Sequence, residues 1–229
     1  LMKALTQVAP QNVSGGIGNI KVASYSGALD EDYWVYMDIT EGSYGGRYGK
    51  DGMDGVDTLY ANTRNNPIED IEAHLPLRVT RYELIEDASG AGKYRGGLGS
   101  IRDIQFLAPG QMSLEGEGNK YAPWGIFDGK DGTPGAVQVL NPYNETAEDL
   151  PSKFPCRKTK LGDTLRTVSP CGGGYGKPLE RDPALVLEDV LDEFVSVESA
   201  KRDYGVVINP ASLTIDEQAT AALRHQMAA

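Results

Sequence analysis

The stretch LRVTRYELIEDASGAGKYRGGLGSIRDIQFL, residues 77–107, decides the fold. Its two ends, residues 77–84 and 100–107, alternate in part between apolar and polar side chains, which is the pattern of strands that bury one face. The segment between them is rich in glycine and other residues that favour turns. We therefore predict two strands that pair antiparallel.

Further short strands are predicted on both sides of this pair. β-Branched and aromatic residues lie between turn signals at residues 21–24, 33–39, 111–117, 136–140 and 164–169. A short helix is predicted after Pro67, with Ile68, Ile71 and Leu75 on one face. This spacing of strands indicates a β-rich sandwich or barrel-like region over about residues 15–175.

The pattern becomes helical after residue 176. Asp182 is suited to cap a helix that has Pro183 at its first position. A second helix is predicted from a cap at Ser196 to a stop at Gly205. The expected fold class is therefore α+β, with a β-rich region at residues 1–176 and a helical C-terminal extension at 177–229 packed on it.

Two smaller predictions complete the C-terminal part. A strand is predicted at residues 206–208. The last helix is predicted at 214–227, because Thr214 and Glu217 stand at the spacing of a capping box.

Composition excludes several classes of protein. The formal net charge of −11 argues against nucleic-acid binding, which needs clustered lysine and arginine. No apolar run approaches the roughly 20 residues that span a bilayer, so a cytoplasmic location without membrane attachment is expected. Two cysteines and two histidines supply too few ligands for a zinc site. The chain starts with Leu1 in what resembles the end of a helix, so residues are expected upstream.

The most unusual segment is EGSYGGRYGKDGMDGVDT, residues 41–58, in which six of eighteen residues are glycine. Such a segment is predicted to be a loop that lets backbone approach a ligand closely. Arg47 and Lys50 are suited to hold an anion, and Asp51, Asp54 and Asp57 to bind a hard cation or orient water. The alternative is a glycine-rich turn whose aspartates bond to neighbouring amides.

Other candidate sites are weaker. The glycine runs at 96–99 and 172–176 lack the spacing of phosphate-binding loops and are predicted to be tight turns. His74 lies near a helix end, where a surface or capping role is common. Cys156 and Cys171 show no sign of an activated thiolate and are expected to be structural.

Three long stretches carry a resemblance to one family. Residues 49–84, 89–107 and 170–208 follow in order and contain the runs GKDGMDGVDTLYANTRNNPIEDIEAHLPLRVTRYEL, SGAGKYRGGLGSIRDIQFL and PCGGGYGKPLERDPALVLEDVLDEFVSVESAKRDYGVVI. Together they resemble the C-terminal half of hydantoinase B/oxoprolinase proteins.

The resemblance implies a B-type component of an ATP-dependent enzyme that opens a cyclic amide. It implies a hydantoinase A-type partner that binds ATP with Mg²⁺, a hetero-oligomer, and a remaining N-terminal part of the B-type polypeptide. That part is expected to hold most of any further divalent metal site, and no metal site is assigned here. If this chain contributes to the site, Asp54, Asp57 and Asn62 are the catalytic candidates, and Arg47, Lys50 and Asp51 the substrate- or phosphate-binding candidates.

One departure and two alternatives remain. Related 5-oxoprolinases resemble GVHSHMTNT where this chain has GVDTLYANT, with Asp57 and Leu59 in place of the histidines, so hydantoinase, caprolactamase or carboxylase activity is favoured. The first alternative is a component of an ATP-dependent acetone or acetophenone carboxylase. The second is a non-catalytic scaffold that docks the A-type partner through Leu185, Val190 and Phe194, although packing within the chain also explains that stripe.

Overall fold

The computed structural model describes residues 2–57, 63–143 and 146–228. Within these ranges it contains eleven strands, five α-helices and two short 3-10 turns, at Pro10–Asn12 and Pro178–Glu180. The strands are β1 Lys21–Leu29, β2 Asp32–Thr40, β3 Leu77–Leu84, β4 Ser100–Phe106, β5 Gly110–Gly116, β6 Ala136–Asn141, β7 Thr146–Asp149, β8 Lys153–Thr159, β9 Thr164–Val168, β10 Ile208–Asn209 and β11 Thr214–Ile215. The helices are α1 Met2–Leu5, α2 Ile68–His74, α3 Pro183–Leu191, α4 Val197–Tyr204 and α5 Glu217–Ala228.

Two open sheets form the β region. One has four strands in the order β2-β1-β5-β8, and the other has five in the order β3-β4-β9-β6-β7. All paired neighbours in both sheets run antiparallel. The predicted pairing of 77–84 with 100–107 is confirmed, with Leu77 opposite Phe106 and Leu84 opposite Ser100. In the described ranges the sheets do not close into a barrel, so the sandwich form of the prediction is confirmed.

The main core lies between the two sheets. Side chains from the four-stranded sheet, such as Tyr25 and Leu114, pack in one cluster with Phe106 and Leu165 from the five-stranded sheet. The ring of Tyr25 lies 5.9 Å from that of Phe106, centroid to centroid. This burial of one face of each sheet stabilises the sandwich.

The C-terminal helices begin where the sequence predicts. Asp182 accepts a hydrogen bond from the Ala184 amide at 2.9 Å and caps α3. Ser196 accepts from the Ser199 amide at 3.1 Å and caps α4, which ends at Gly205 in the left-handed conformation. Both caps supply an acceptor to an amide that has no partner inside its helix.

The last helix begins later than predicted. Thr214 lies in the short strand β11, opposite Asn209, so it cannot cap α5. Asp216 accepts from the Ala219 amide at 2.9 Å and is the cap instead. The predicted strand at 206–208 is shifted to Ile208–Asn209, and strands β7 and β8 were not predicted.

The stripe considered as a docking surface is mostly used within the chain. Val190 and Phe194, together with Val197, pack on a cluster that contains Val186 and Tyr204. Leu185 remains 40% exposed. Packing within the chain therefore accounts for most of this stripe.

The glycine-rich loops meet in a second, backbone-lined core. The amide of Gly46 donates to the carbonyl of Gly173 at 2.8 Å, and Gly172 donates to Gly97 at 2.8 Å. A β-carbon at Gly172 would lie 2.1 Å from the carbonyl oxygen of Tyr44, closer than any side chain allows. The glycines at 96–99 and 172–176 are therefore needed for close backbone packing, as their prediction as turns required.

Candidate functional site

A cleft lies between the N-terminal segment and the glycine-rich loop. Its volume is about 420 Å³, and Ser14 and Ile17 line one side. Tyr44, Arg47 and Asp51 line the loop side. A cation and a carboxylate thus face one mostly apolar cavity, an arrangement suited to a small polar ligand.

The loop tip is a tight turn that carries two cations. The amide of Arg47 donates to the Lys50 carbonyl at 3.0 Å, and the amide of Lys50 donates to the Arg47 carbonyl at 3.1 Å. Gly49 has φ +78°, which allows the reversal. Arg47 and Lys50 are both exposed, so their charges are available to an anion.

Asp51 is held by a buried arginine. Its two carboxylate oxygens accept from Nη1 and Nη2 of Arg181 at 2.7 and 2.8 Å. Oδ1 also accepts from the backbone amide of Arg95 at 2.7 Å. This carboxylate is therefore oriented by three donors while it borders the cleft.

Asp54 has the same arrangement with a second arginine. Its oxygens accept from Nη1 and Nη2 of Arg95 at 2.7 and 3.0 Å. Oδ1 also accepts from the Leu98 amide at 2.7 Å. Asp54 is not among the residues that line the cleft.

Asp189 on helix α3 joins the two pairs. Its Oδ1 accepts from Nε of Arg95 and its Oδ2 from Nε of Arg181, both at 3.0 Å. The side chains of Arg95, Arg181 and Asp189 are 5%, 2% and 8% exposed. We call this set, Asp51, Asp54, Arg95, Arg181 and Asp189, the loop–helix ion network.

The network keeps its charges. Burial opposes ionisation of Arg95, but the hydrogen bonds and charges of Asp54 and Asp189 outweigh it and raise the pKa of this guanidinium. The same balance, with Asp51 and Asp189 as partners, raises the pKa of Arg181. Sequence reasoning missed Arg95, Arg181 and Asp189, because their separation along the chain forms no motif.

The remaining predicted site residues lie at the end of the loop. Asp57 accepts from the amide and the hydroxyl of Thr63, both at 2.5 Å. Asn62 lies outside the described residues. The structure therefore brings Arg47 and Asp51 to one cleft and places Asp54 in the ion network below it.

The minor candidates have ordinary environments. Nδ1 of His74 lies 3.0 Å from the Asp70 carbonyl oxygen on the exposed face of α2. Cys171 is buried, and burial raises the pKa of its thiol. Its sulfur accepts from the Gly99 amide at 3.1 Å, and Cys156 is exposed.

Metal clusters and membrane helices are absent from the described ranges. No three side chains of His, Cys, Asp or Glu in these ranges come together as metal ligands. None of the helices described there is long and apolar enough to cross a membrane.

Comparison with known proteins gives one family. The family model for hydantoinase B/oxoprolinase matches residues 1–178. The B-type subunit of a D-/L-hydantoinase from Pseudomonas sp. (strain NS671) is 59% identical over 226 residues, which cover 98% of this chain and 38% of that protein.

Solved structures share the fold. The ATP-dependent caprolactamase from Pseudomonas jessenii superposes with a TM-score of 0.82 at 28% identity, over 97% of this chain and 40% of that one. A nucleotide-free acetone carboxylase superposes with a TM-score of 0.78 at 19% identity, over 98% of this chain and 35% of that one, and this shows the fold alone. The chain thus spans about two fifths of the length of these relatives.

Proposed function

Since the chain belongs to the hydantoinase B/oxoprolinase family, we propose that it is part of the B-type component of an ATP-dependent cyclic-amide hydrolase. The observation that carries this proposal is the 59% identity to the B-type subunit of a D-/L-hydantoinase over nearly the whole chain. The fold shared with an ATP-dependent caprolactamase supports it, because a hydantoin and a caprolactam both contain a cyclic amide. The proposed reaction is ring opening coupled to ATP hydrolysis.

ATP would solve a chemical problem that these rings share. An unstrained amide carbonyl reacts poorly with water, and transfer of a phosphoryl group to its oxygen turns that oxygen into a leaving group. Water then adds to the carbon, the ring C–N bond breaks, and phosphate is released. ATP and Mg²⁺ are proposed to belong to the whole complex.

The glycine-rich loop is proposed to contribute to that site. Arg47, Lys50 and Asp51 are the proposed substrate- or phosphate-binding residues, since the two cations are exposed at the turn and Asp51 borders the cleft. Asp54, Asp57 and Asn62 are the proposed catalytic residues that orient water. Asp51 and Asp54 would act as carboxylates fixed by the ion network.

A divalent metal does not fit the described part of this loop. Both oxygens of Asp51 and both of Asp54 bind a guanidinium, so neither carboxylate has the arrangement of a free ligand. We therefore propose that Mg²⁺ and any further divalent ion bind mainly to other parts of the complex, and we assign no step to a metal here.

The proposed partners follow from the family and from length. A hydantoinase A-type subunit would bind ATP, and the remaining N-terminal part of the B-type polypeptide would complete the site. The chain covers only 38% of the hydantoinase polypeptide that it resembles. A cytoplasmic hetero-oligomer is the proposed setting.

Substitutions in the complete complex test the loop. Arg47→Gln and Asp57→Ala are expected to lower ring opening and the associated ATP hydrolysis. Asp54→Ala is expected to do the same, with Asp54→Asn as a comparison that keeps the size of the side chain. Lys158→Gln, on strand β8 and outside the loop, is the control. Wild-type turnover in the Asp54 and Asp57 variants would remove this loop from the mechanism.

The fold shared with acetone carboxylase supports a second candidate, a component of a ketone carboxylase. The two candidates differ in co-substrate. ATP hydrolysis that depends on bicarbonate and a ketone would favour carboxylation, and hydrolysis that depends on a hydantoin or lactam alone would favour ring opening.

A further inference from the structure

Strand β2 presents a row of apolar side chains to the surface. Tyr33, Val35 and Met37 are 89%, 76% and 62% exposed, whereas Trp34 between them is buried. Because successive residues of a strand point to opposite faces, these three side chains lie in line on the outer face of the four-stranded sheet.

Small residues of β1 lie beside this row. Met37, Val35 and Tyr33 are paired with Ser24, Ser26 and Ala28, respectively. The large apolar groups therefore border a floor of short side chains. We call these six residues the apolar shelf.

The other sheet shows what an ordinary outer face of this protein contains. It carries the ion pairs Arg81–Glu83 and Arg166–Asp103. The shelf has no charged residue. An apolar surface confined to one sheet of the sandwich indicates an interface, since single exposed apolar residues are common but contiguous ones are not.

The shelf also lies at a sheet edge. β2 is the first strand in the order β2-β1-β5-β8, so one side of its backbone has no strand partner among the described residues. β2 is nine residues long. Long apolar edge strands are usually covered or interrupted by charges, because they otherwise pair with other chains.

We propose that an extended segment of the B-type polypeptide, from the part that these 229 residues do not span, adds a strand to β2 and covers the shelf. This inference rests on the proposed function only for the assignment to a B-type component. In the D-/L-hydantoinase polypeptide and in the caprolactamase chain, the matched region is 38% and 40% of the length. More than half of each polypeptide therefore lies outside this fold.

Permanence favours the same polypeptide over a separate one. Interfaces that stay closed throughout the life of a protein are more apolar than interfaces that open and close. The shelf, with three large and almost unshielded apolar side chains, matches the first kind. A segment linked covalently to this fold would cover it permanently.

Charge at one end of the shelf defines the segment further. Asp30, Glu31 and Asp32 form the exposed turn between β1 and β2. A partner strand would therefore carry apolar residues at alternate positions over the shelf and a lysine or arginine where it passes this turn.

Hydrogen exchange tests the added strand. The amides of β2 that do not bond to β1 are compared between residues 1–229 and a full-length B-type polypeptide that contains them. We expect these amides to exchange about tenfold or more slowly in the full-length polypeptide, because strand pairing protects them. Equal exchange in the two proteins would overturn the proposal.

A triple substitution tests the apolar contact. Tyr33→Thr, Val35→Thr and Met37→Thr keep β-forming side chains, so the melting temperature of residues 1–229 is expected to change little. The full-length polypeptide is expected to melt several degrees lower, because it loses buried apolar contacts. The control is Leu161→Thr, at a site that is 51% exposed and outside the shelf.

Other occupants give different results. A dimer of residues 1–229 with the β2 amides already protected would assign the shelf to a second copy and overturn the proposal. Protection that appears only after addition of an A-type partner would overturn it as well. Neither readout uses substrate turnover, so failure of ring opening with intact β2 protection would contradict the proposed function alone.

Discussion

Substitution of Asp189 tests the idea that the ion network fixes the glycine-rich loop. Asp189→Ala removes three contacts: from Nε of Arg95 and Nε of Arg181 at 3.0 Å, and from Nη2 of Arg181 at 2.8 Å. Removing one partner from a buried ion pair typically costs about 3–5 kcal/mol. The cost should lie at the lower end, because each guanidinium keeps its bidentate carboxylate, Asp54 or Asp51.

Helix propensity reduces the expected cost slightly. Asp189 lies in α3, where alanine is favoured over aspartate by about 0.6 kcal/mol. A loss of about 3 kcal/mol in the free energy of unfolding is therefore expected, measured by urea denaturation. For a domain of this size, such a loss lowers the melting temperature by roughly 6–12 °C.

A surface pair provides the control for this prediction. Glu148 accepts from two nitrogens of Arg157 at 2.9 and 2.5 Å, but its side chain is 58% exposed. Glu148→Ala should cost less than about 1 kcal/mol. If Asp189→Ala costs no more than Glu148→Ala, the ion network does not hold the loop and the reasoning is refuted.

Three further predictions concern stability. Burial lowers the pKa of Lys21 from 10.5 to about 8, which corresponds to a penalty of up to about 3 kcal/mol at neutral pH. Between those two values the unfolded chain binds a proton that the folded chain has released, so Lys21→Met should stabilise at pH 7 and the gain should shrink from about pH 8 to 10.5; a constant gain in urea titrations would contradict this. Gly172→Ala should cost about 3 kcal/mol or more because of backbone contact at 2.1 Å, whereas Gly49→Ala, with open space around it, should cost only about 1–2 kcal/mol for its positive φ. Ser196→Ala should cost about 1 kcal/mol by loss of the α4 cap, and an unchanged melting temperature would refute that role.

Local patterns predicted most of the fold. Alternation over residues 77–84 and 100–107 and the caps at Asp182 and Ser196 depend on neighbours in the chain, and the structure confirms them. Strand β8 was missed because Lys153–Thr159 contains a proline and four polar or charged residues and pairs at a sheet edge, where burial imposes little pattern. The start of α5 was misplaced because Thr214 and Asp216 are both good caps, and only the pairing of Thr214 with Asn209 decides between them.

The site was predicted less completely. The glycine pattern identified the loop, and the turn at Arg47 and Lys50 is local. The arginines that bind Asp51 and Asp54 come from residues 130 and 41 positions away, respectively, so no spacing in the sequence connects them. Long-range ion pairs of this kind become visible only in three dimensions.

The central claim is that this chain supports ATP-dependent ring opening only as part of a larger complex. Its most direct test is the amount of ADP and of ring-opened product formed from a hydantoin, measured for residues 1–229 alone and for the complete B-type polypeptide with its A-type partner. The account predicts both products in step from the complex and neither from residues 1–229. Ring opening and ATP hydrolysis by residues 1–229 without any other polypeptide would contradict it.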